Sequence, residues 1–205
     1  MKLLYKHIAT TIFIAASSLP AAVMAESNSA ADPSVGAKAS LDFRITIPGV
    51  LRFQVGSAGT GSINTIDFNP PAASLGDNST ITQGTGGDGT GTGVVTVDLF
   101  SNTGQVTITE ENNGSGSGLN NGTVGENIPY SEITTTSNDP TDFAAPVLSD
   151  SAKNTSAPTP TSGNGKVTNR TTTWSYAYAN TATYPEGTYG SDTNGGRVTY
   201  TAATP

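Results

Sequence analysis

Apolar and polar residues alternate without a break near the start of the chain, and this period of two restricts what the chain can fold into. The alternating apolar residues share one side of an extended strand: Leu41, Phe43, Ile45 and Ile47. After Pro48, which has no N–H to donate to a strand partner, the alternation resumes over residues 51–55. It predicts a long strand with a central kink at the edge of a sheet.

The rest of the chain repeats this theme, with short apolar alternations separated by loops rich in Gly, Asn and Thr. Strands are predicted over residues 63–68, 94–100, 105–109, 130–135, 167–178 and 197–202. The turn at Asn102-Thr103-Gly104 predicts a hairpin between strands 94–100 and 105–109, because Gly supplies the positive φ that tight turns need. A helical period is not sustained in any segment. The fold class predicted is all-β, an antiparallel sandwich of six to eight strands.

One sandwich core accounts for the large apolar residues. We predict that it consists of Phe43, Ile45, Ile47, Leu51, Phe53, Val55, Ile66, Phe68, Val95, Val97, Leu99, Val106, Ile108, Trp174, Tyr176, Val198 and Tyr200. Residues 137–165, with four prolines, are predicted to be irregular surface chain with one short strand at most.

Residues 1–25 have the layout of a secretory signal peptide: a basic start, an apolar run and a small-residue exit before Glu26. The alternative, an N-terminal membrane anchor, is disfavoured because the apolar run is too short to cross a bilayer comfortably. We therefore divide the chain into a signal peptide, a flexible polar leader over 26–40 and one domain over 41–205. The processed chain is expected to be exported and to have no membrane span.

Composition excludes several functions of the processed chain. Loss of Lys2, Lys6 and His7 with the signal peptide leaves seven basic and 16 acidic residues, a formal net charge of −9, and no His or Cys. A Ser-His-Asp triad and a zinc site built on His and Cys are therefore impossible. The negative charge disfavours nucleic acid and anionic membranes as partners. We predict a protein that is not an enzyme and that uses no cofactor or metal.

The carboxylates and the glycine-rich loop have plain structural interpretations. The run Gly84–Gly89 precedes a strand rather than a helix, which disfavours phosphate binding. Glu110 and Glu111 are neighbours on a strand, so they point to opposite faces and cannot flank one glycosidic bond. Asp77, Asp88 and other Asx residues of the loops could offer oxygens to Ca²⁺, but local Asx turns explain them equally.

Aromatic residues cluster in the last 35 residues of the chain. Trp174, Tyr176 and Tyr178 share one strand face, which could be part of the core or a sugar-stacking platform, and we favour the core for Trp174. Tyr184 and Tyr189 flank a turn and are the better candidates for surface aromatics. One of them could instead bond the backbone, as a tyrosine corner does.

The two end strands carry the functional prediction. Edge strands expose unpaired backbone groups and invite another strand to pair with them. We predict a strand-pairing interface formed by residues of the first and last strands: Leu41, Phe43, Ile45, Ile47, Val198, Tyr200 and Ala202.

The C-terminal stretch WSYAYANTATYPEGTYGSDTNGGRVTYTAATP resembles the end of immunoglobulin-like subunits exported by chaperone–usher pathways. It is similar to the fimbrial and spore-coat-U-like groups of Gram-negative bacteria, which end with an aromatic-rich strand, a Gly-x-Tyr turn (here Gly187–Tyr189) and a final strand. The resemblance implies an immunoglobulin-like sandwich, self-association by strand donation, a periplasmic chaperone and an outer-membrane usher as partners, and transfer from periplasm to cell surface in cell adhesion. Since leader 26–40 lacks large alternating apolar residues, a donated strand must come from Leu41–Ile47.

Two other functions remain open on the sequence. The chain could be a monomeric secreted or periplasmic binding module for carbohydrate or Ca²⁺ that uses its long loops, 56–93 and 110–165. It could also be a small periplasmic β-protein that assists export.

Overall fold

The computed structural model of the protein describes residues 29–34, 36–57, 59, 63–82, 84–88, 93–151 and 153–205. The predicted signal peptide, residues 1–25, and the first three residues of the predicted leader lie outside this range. The chain forms two compact units, Met1–Ile47 and Pro48–Pro205, which are described separately.

The described residues of the first unit contain neither strand nor helix. A turn is closed by Asp32, whose Oδ1 accepts the Ser34 N–H at 2.9 Å. We call residues 41–47 the arm, and its four large apolar side chains are mostly exposed: Leu41 at 63%, Phe43 at 87%, Ile45 at 85% and Ile47 at 76%. The strand predicted here is therefore wrong for this structure, and so is the placement of Phe43, Ile45 and Ile47 in the core.

The second unit is built of short strands, as the alternation predicts. Its strands are β1 (Leu51–Val55), β2 (Ile66–Asp67), β3 (Thr85–Gly86), β4 (Val94–Ser101), β5 (Thr107–Asn112), β6 (Leu119–Asn120), β7 (Asn127–Ile128), β8 (Ile133–Ser137), β9 (Thr155–Ser156), β10 (Thr168–Tyr178) and β11 (Val198–Ala203). Two 3₁₀ turns, Ala72–Ser74 and Tyr130–Glu132, are the helical elements of the described residues. The all-β prediction is confirmed.

Two antiparallel sheets form the body of this unit. One has the strand order β1-β4-β10-β8 and the other the order β11-β5-β9, while β2-β3 and β6-β7 are small two-stranded ribbons. β10 pairs along all of β4, from Thr168 opposite Ser101 to Ser175 opposite Val94. In the other sheet Val198 lies opposite Asn112 and Ala203 opposite Thr107.

The core lies between the two sheets. β4 buries every second residue, Val95, Val97 and Leu99, and these join Ile108 of β5 and Trp174 of β10 in one cluster. Trp174 contacts Phe143 edge to face with ring centroids 5.9 Å apart. Tyr176 is also buried, so the core interpretation of these aromatics is confirmed.

Three buried residues were missed because they lie outside clear alternations. Tyr130, Phe143 and Leu148 are buried in the core. Two of them belong to the segment predicted to be irregular surface chain, which instead packs against the sheets and buries Pro146 and Pro158 as well. The core prediction is also wrong for Leu51, which is 38% exposed.

The predicted hairpin around Asn102-Thr103-Gly104 is also wrong. β4 and β5 flank this turn but belong to different sheets, so the turn carries the chain across the core. Its backbone groups bond to other segments: Gly104 N–H donates to the Lys166 carbonyl at 3.2 Å. Because both strands bury one apolar face, facing each other across the core satisfies both faces, whereas pairing side by side would extend one sheet.

Candidate strand-pairing site

Strands β1 and β11 each lie at the end of their sheet. They belong to different sheets, yet their Cα atoms approach within 8 Å, so both edges open on the same side of the domain. Within the described part of the chain, neither strand pairs on its outer side. This side therefore offers two neighbouring edges with unused backbone groups.

The hydrogen-bond phase of β1 identifies its unused groups. Gly56 N–H donates to the Thr96 carbonyl at 2.7 Å, and Asn102 N–H donates to the Val50 carbonyl at 3.2 Å. In an antiparallel pair such bonds recur at every second residue. Even-numbered residues of β1 therefore bond to β4, and the N–H and C=O groups of Leu51, Phe53 and Val55 point outward.

The same reasoning applies to β11. Asn113 N–H donates to the Arg197 carbonyl at 3.0 Å, which places the odd-numbered residues of β11 in bonded pairs with β5. The backbone groups of Val198, Tyr200 and Ala202 consequently point to the free side. We call this side of β11 the acceptor edge. It contains the three C-terminal residues that the sequence predicted for strand pairing.

The apolar side chains of these two edge strands contact the core but are only partly buried. Phe53 and Val55 of β1, with Val198, Tyr200 and Ala202 of β11, pack against the buried cluster but remain partly exposed. In contrast, Val97, Leu99, Ile108 and Trp174 in the centre of the sheets are fully buried. We call the side where β1 and β11 meet, with these partly exposed apolar side chains, the open side of the core.

The opposite edge of the four-stranded sheet is covered by the chain itself. Thr135 Oγ1 of β8 donates to the Pro146 carbonyl at 3.0 Å, and Ser137 Oγ donates to the Phe143 carbonyl at 2.7 Å. Phe143 and Pro146 are themselves fully buried. Covering one edge and leaving the other open is the arrangement expected where a strand is to be added at the open edge.

Tyr200 links the acceptor edge to the core. Its ring packs on Trp174 with centroids 5.1 Å apart, and its hydroxyl lies 3.0 Å from that of Tyr176. Burial raises the pKa of Tyr200 well above its usual value and raises the pKa of Tyr176 to about 12. Both phenols therefore stay neutral, and their shared hydrogen bond intact, until the solution is strongly alkaline.

This tyrosine pair makes the stability of the domain depend on alkaline pH. The folded-state pKa of Tyr176 is raised from 10 to about 12, so the stabilisation is complete below pH 10 and is lost as the pH rises towards 12. We expect the melting temperature to fall across this window, and to fall less in a Tyr176→Phe variant. Thermal melts at matched pH values measure the difference; equal pH slopes for the two proteins would contradict the assignment.

The predicted surface aromatics lie in a different loop. Tyr184 and Tyr189 are partly exposed and contact each other with ring centroids 6.3 Å apart. Tyr189 OH donates to the Pro185 carbonyl at 3.0 Å, so this tyrosine does bond the backbone. Desolvation raises the pKa of both phenols.

The carboxylates and polar loops have local partners. Glu110 is fully buried and accepts Asn112 Nδ2 at 3.1 Å, whereas Glu111 is exposed and pairs with Lys153 at 2.8 Å. The two glutamates thus point to opposite faces, as predicted. Asp77 closes an Asx turn by accepting the Ser79 N–H at 2.8 Å, and hydrogen bonding to Ser79 lowers its pKa. The described residues contain no group of three or more acidic side chains placed to hold a metal ion.

A polar depression of about 260 Å³ lies among the loops and is lined by residues that include Asn113, Asn120, Asn127 and Asn194. Its amide groups are used to hold the loops together. Asn120 Nδ2 donates to the carbonyls of Thr123 and Glu126 at 2.9 and 3.0 Å, and Asn113 Nδ2 donates to the Asp192 carbonyl at 2.7 Å. A loop site for carbohydrate therefore stays a prediction.

Comparisons of the chain with protein-family models, with curated proteins and with solved structures found no match. Within the part of the chain that the structure describes, none of the helical segments has the length and apolar character needed to cross a bilayer.

Sequence reasoning named Val198, Tyr200 and Ala202 of the β11 edge for strand pairing but not Leu51, Phe53 and Val55 of the β1 edge. It placed the arm in its own sandwich, and it interpreted Asn102 only as a turn residue. The signal that was available is Pro48-Gly49, which separates the arm from β1 and marks where strand pairing within the domain stops.

Proposed function

We propose that the protein is an exported structural subunit that assembles by β-strand pairing. In this proposal the arm of one copy pairs with the acceptor edge of the next. The observation that carries it is the exposure of four alternating large apolar side chains in a chain whose sandwich-like domain has an open core side. Such an arm is costly to leave in water and has the period of a strand.

The arm and the acceptor edge are complementary in pattern. Leu41, Phe43, Ile45 and Ile47 would face the open core, while Asp42, Arg44 and Thr46 would face solvent. Burying each large apolar side chain contributes about 1.5–3 kcal/mol, and each backbone bond to the acceptor edge adds about 0.5–1.5 kcal/mol. The arm would complete the three-stranded sheet as a fourth strand next to β11.

Donor and acceptor are different parts of the chain, so the contact between copies is head-to-tail. A heterologous contact of this kind gives a ring if its rotation closes and a fibre if it does not. For such an assembly we propose a pilus- or coat-type role in cell adhesion. The all-β architecture suits the immunoglobulin-like fold that the C-terminal motif implies, and that finer assignment is part of the proposal.

An exposed apolar arm also implies a covering partner during export. A periplasmic chaperone that covers the acceptor edge, and an outer-membrane usher that passes subunits on, would meet this need. The predicted signal peptide would supply entry to the export route. We propose these partners and the cell surface as the final location.

A peptide test separates strand acceptance from loop binding. Excess synthetic peptide of residues 38–50 should bind the acceptor edge of the processed chain, raise its melting temperature by mass action and shorten its assemblies. At 100 times its dissociation constant the peptide adds about 2.7 kcal/mol. Calorimetry and light scattering measure the two effects.

The matched control is the same peptide with Asp at the positions of Phe43 and Ile45. This control peptide should neither raise the melting temperature nor shorten the assemblies, since it cannot fill the open side of the core. Equal effects of the two peptides, or no effect of either, would contradict the proposal. Either result would favour the alternatives, a binding module or a periplasmic protein that assists export.

A further inference from the structure

Three residues connect the arm to β1, and one side chain holds them. Asn102 Nδ2 donates to the Pro48 carbonyl at 2.8 Å, and Asn102 Oδ1 accepts the Val50 N–H at 2.7 Å. Asn102 N–H also donates to the Val50 carbonyl at 3.2 Å. Since Leu51 lies opposite Ser101 in the β1–β4 register, these bonds extend the pairing of β1 with β4 by one more residue pair, Val50 with Asn102. We call this set of bonds the Asn102 clamp.

The middle residue of the connection fits closely against the same turn. A Cβ atom added to Gly49 would lie 2.8 Å from Thr103 Cγ2, so only glycine fits there without a shift. The turn between β4 and β5 therefore contacts all three connecting residues, because Asn102 bonds to Pro48 and Val50 and Thr103 lies against Gly49. For residues 48–50 to form a turn, these contacts with Asn102 and Thr103 would have to break.

We propose that Asn102 is a positioning residue that keeps the arm from folding back on its own domain and so directs it to a second copy of this chain. The inference rests on the proposed function. It identifies the residue that decides whether the arm pairs with its own domain (self-pairing) or with another copy (assembly). A return of the whole arm onto its own domain requires the chain to reverse within residues 48–50. Hairpin loops of two to five residues make such a reversal easy where the backbone is free, but here it must first break the clamp.

The clamp matters because self-pairing has a large advantage in concentration. A strand tethered by a short flexible link meets its own domain at an effective concentration in the millimolar range. Another copy at micromolar concentration cannot compete with this unless the link is prevented from turning. The Asn102 clamp supplies that restraint without touching the arm or the acceptor edge.

Cross-linking can measure the choice directly, because the chain contains no cysteine. In the full processed chain, Arg44→Cys on the arm and Thr201→Cys on β11 introduce two thiols on residues whose side chains would face solvent after pairing. A short bifunctional maleimide then joins arm and acceptor edge. Links between copies give a ladder on a denaturing gel, whereas links within one copy leave a monomer in which mass spectrometry finds the two residues joined.

Without further change, the ladder of intermolecular links should predominate once the protein concentration exceeds about 0.1 mM, which is a millimolar effective concentration reduced about tenfold by the clamp. Asn102→Ala should shift the ratio of internal to intermolecular links by about tenfold or more, as expected from losing two side-chain hydrogen bonds. Asn102→Asp keeps the acceptor for Val50 N–H but loses the donor to Pro48, so it should give an intermediate ratio. A general loss of stability would not produce this graded change in the linkage ratio.

Asn64→Ala is the matched control, since the Asn64 side chain also accepts from one backbone N–H, that of Ser57 at 2.7 Å, and donates to one backbone carbonyl, that of Gly87 at 2.9 Å. It should leave the ladder unchanged. If Asn102→Ala fails to fold, insertion of four glycines between Ile47 and Pro48 provides a hinge outside the clamp and should give the same shift to internal links.

The outcomes are distinct. A ladder that is unchanged in both Asn102→Ala and the glycine insertion, with the starting protein still linking between copies, overturns the role of the clamp and leaves the proposed function standing. Absence of any intermolecular link in the starting protein overturns the proposed function itself, and the clamp proposal with it.

Discussion

We expect the double substitution Phe43→Asp/Ile45→Asp to abolish high-mass assembly of the processed chain while leaving the melting temperature of the monomer, compared at a dilution where neither protein is assembled, unchanged. Assembly is lost because two charged carboxylates cannot enter the open core beside Tyr200 without a large desolvation cost. The melting temperature of the monomer is kept because the Phe43 and Ile45 side chains are 87% and 85% exposed, so replacing them uncovers little buried apolar surface. Analytical ultracentrifugation and thermal melts measure the two properties.

The matched control adds the same charge at two other exposed apolar residues. Ile63 is 67% exposed and Val124 is fully exposed, so Ile63→Asp/Val124→Asp makes an equal change in charge and hydropathy away from the arm. This variant should assemble as the unsubstituted protein does. A monomer in both variants would mean that charge, and not the arm, controls association. Full assembly of the arm variant would refute strand donation by residues 41–47.

The regular part of the fold could be predicted because alternation and burial agree there. β10 was predicted over 167–178 and runs from Thr168 to Tyr178, and β4 was predicted over 94–100 and runs to Ser101. Along both strands every second residue faces one shared core, so local pattern and tertiary packing favour the same structure. Trp174 was placed in the core for the same reason.

Other features could not be predicted because they depend on distant partners. The pattern of the arm predicts a strand but does not identify a partner for it, and in the structure residues 41–47 form no strand. Gly104 was expected to close a hairpin, yet its N–H bonds to Lys166, 62 positions away along the sequence. Phe143 and Leu148 lie in a proline-rich stretch without period, so only the three-dimensional packing identifies them as core.

The candidate site was predictable in its residues and not in its chemistry. Val198, Tyr200 and Ala202 were chosen as the apolar members of the last strand. Which of their backbone groups are free depends on the phase of the ladder with β5, and that phase is set by the bond from Asn113 to Arg197. Because the N–H groups of these residues are not bonded to β5, one of them can be removed without breaking a hydrogen bond within the domain.

Proline substitution at alternate residues of β11 tests that phase. Ala202→Pro removes an N–H that points to the free edge, and proline is tolerated on an edge strand at such a position. We expect it to weaken assembly by about tenfold or more, because it removes one bond and places its ring against the incoming strand, with little loss of stability. Ala203→Pro is the control: it removes an N–H directed at β5, so it should lower the melting temperature and leave the acceptor edge able to pair.

Mixing the two deficient variants then tests the direction of assembly. The arm variant Phe43→Asp/Ile45→Asp keeps an acceptor edge, and Ala202→Pro keeps an arm, so each alone should remain largely monomeric. Because the proposed contact is head-to-tail, one intact arm and one intact edge can make a single junction and no more. The mixture should therefore form a dimer with one copy of each variant. Recovery of long assemblies, or no heterodimer, would show that arm and acceptor edge are not the two halves of one contact.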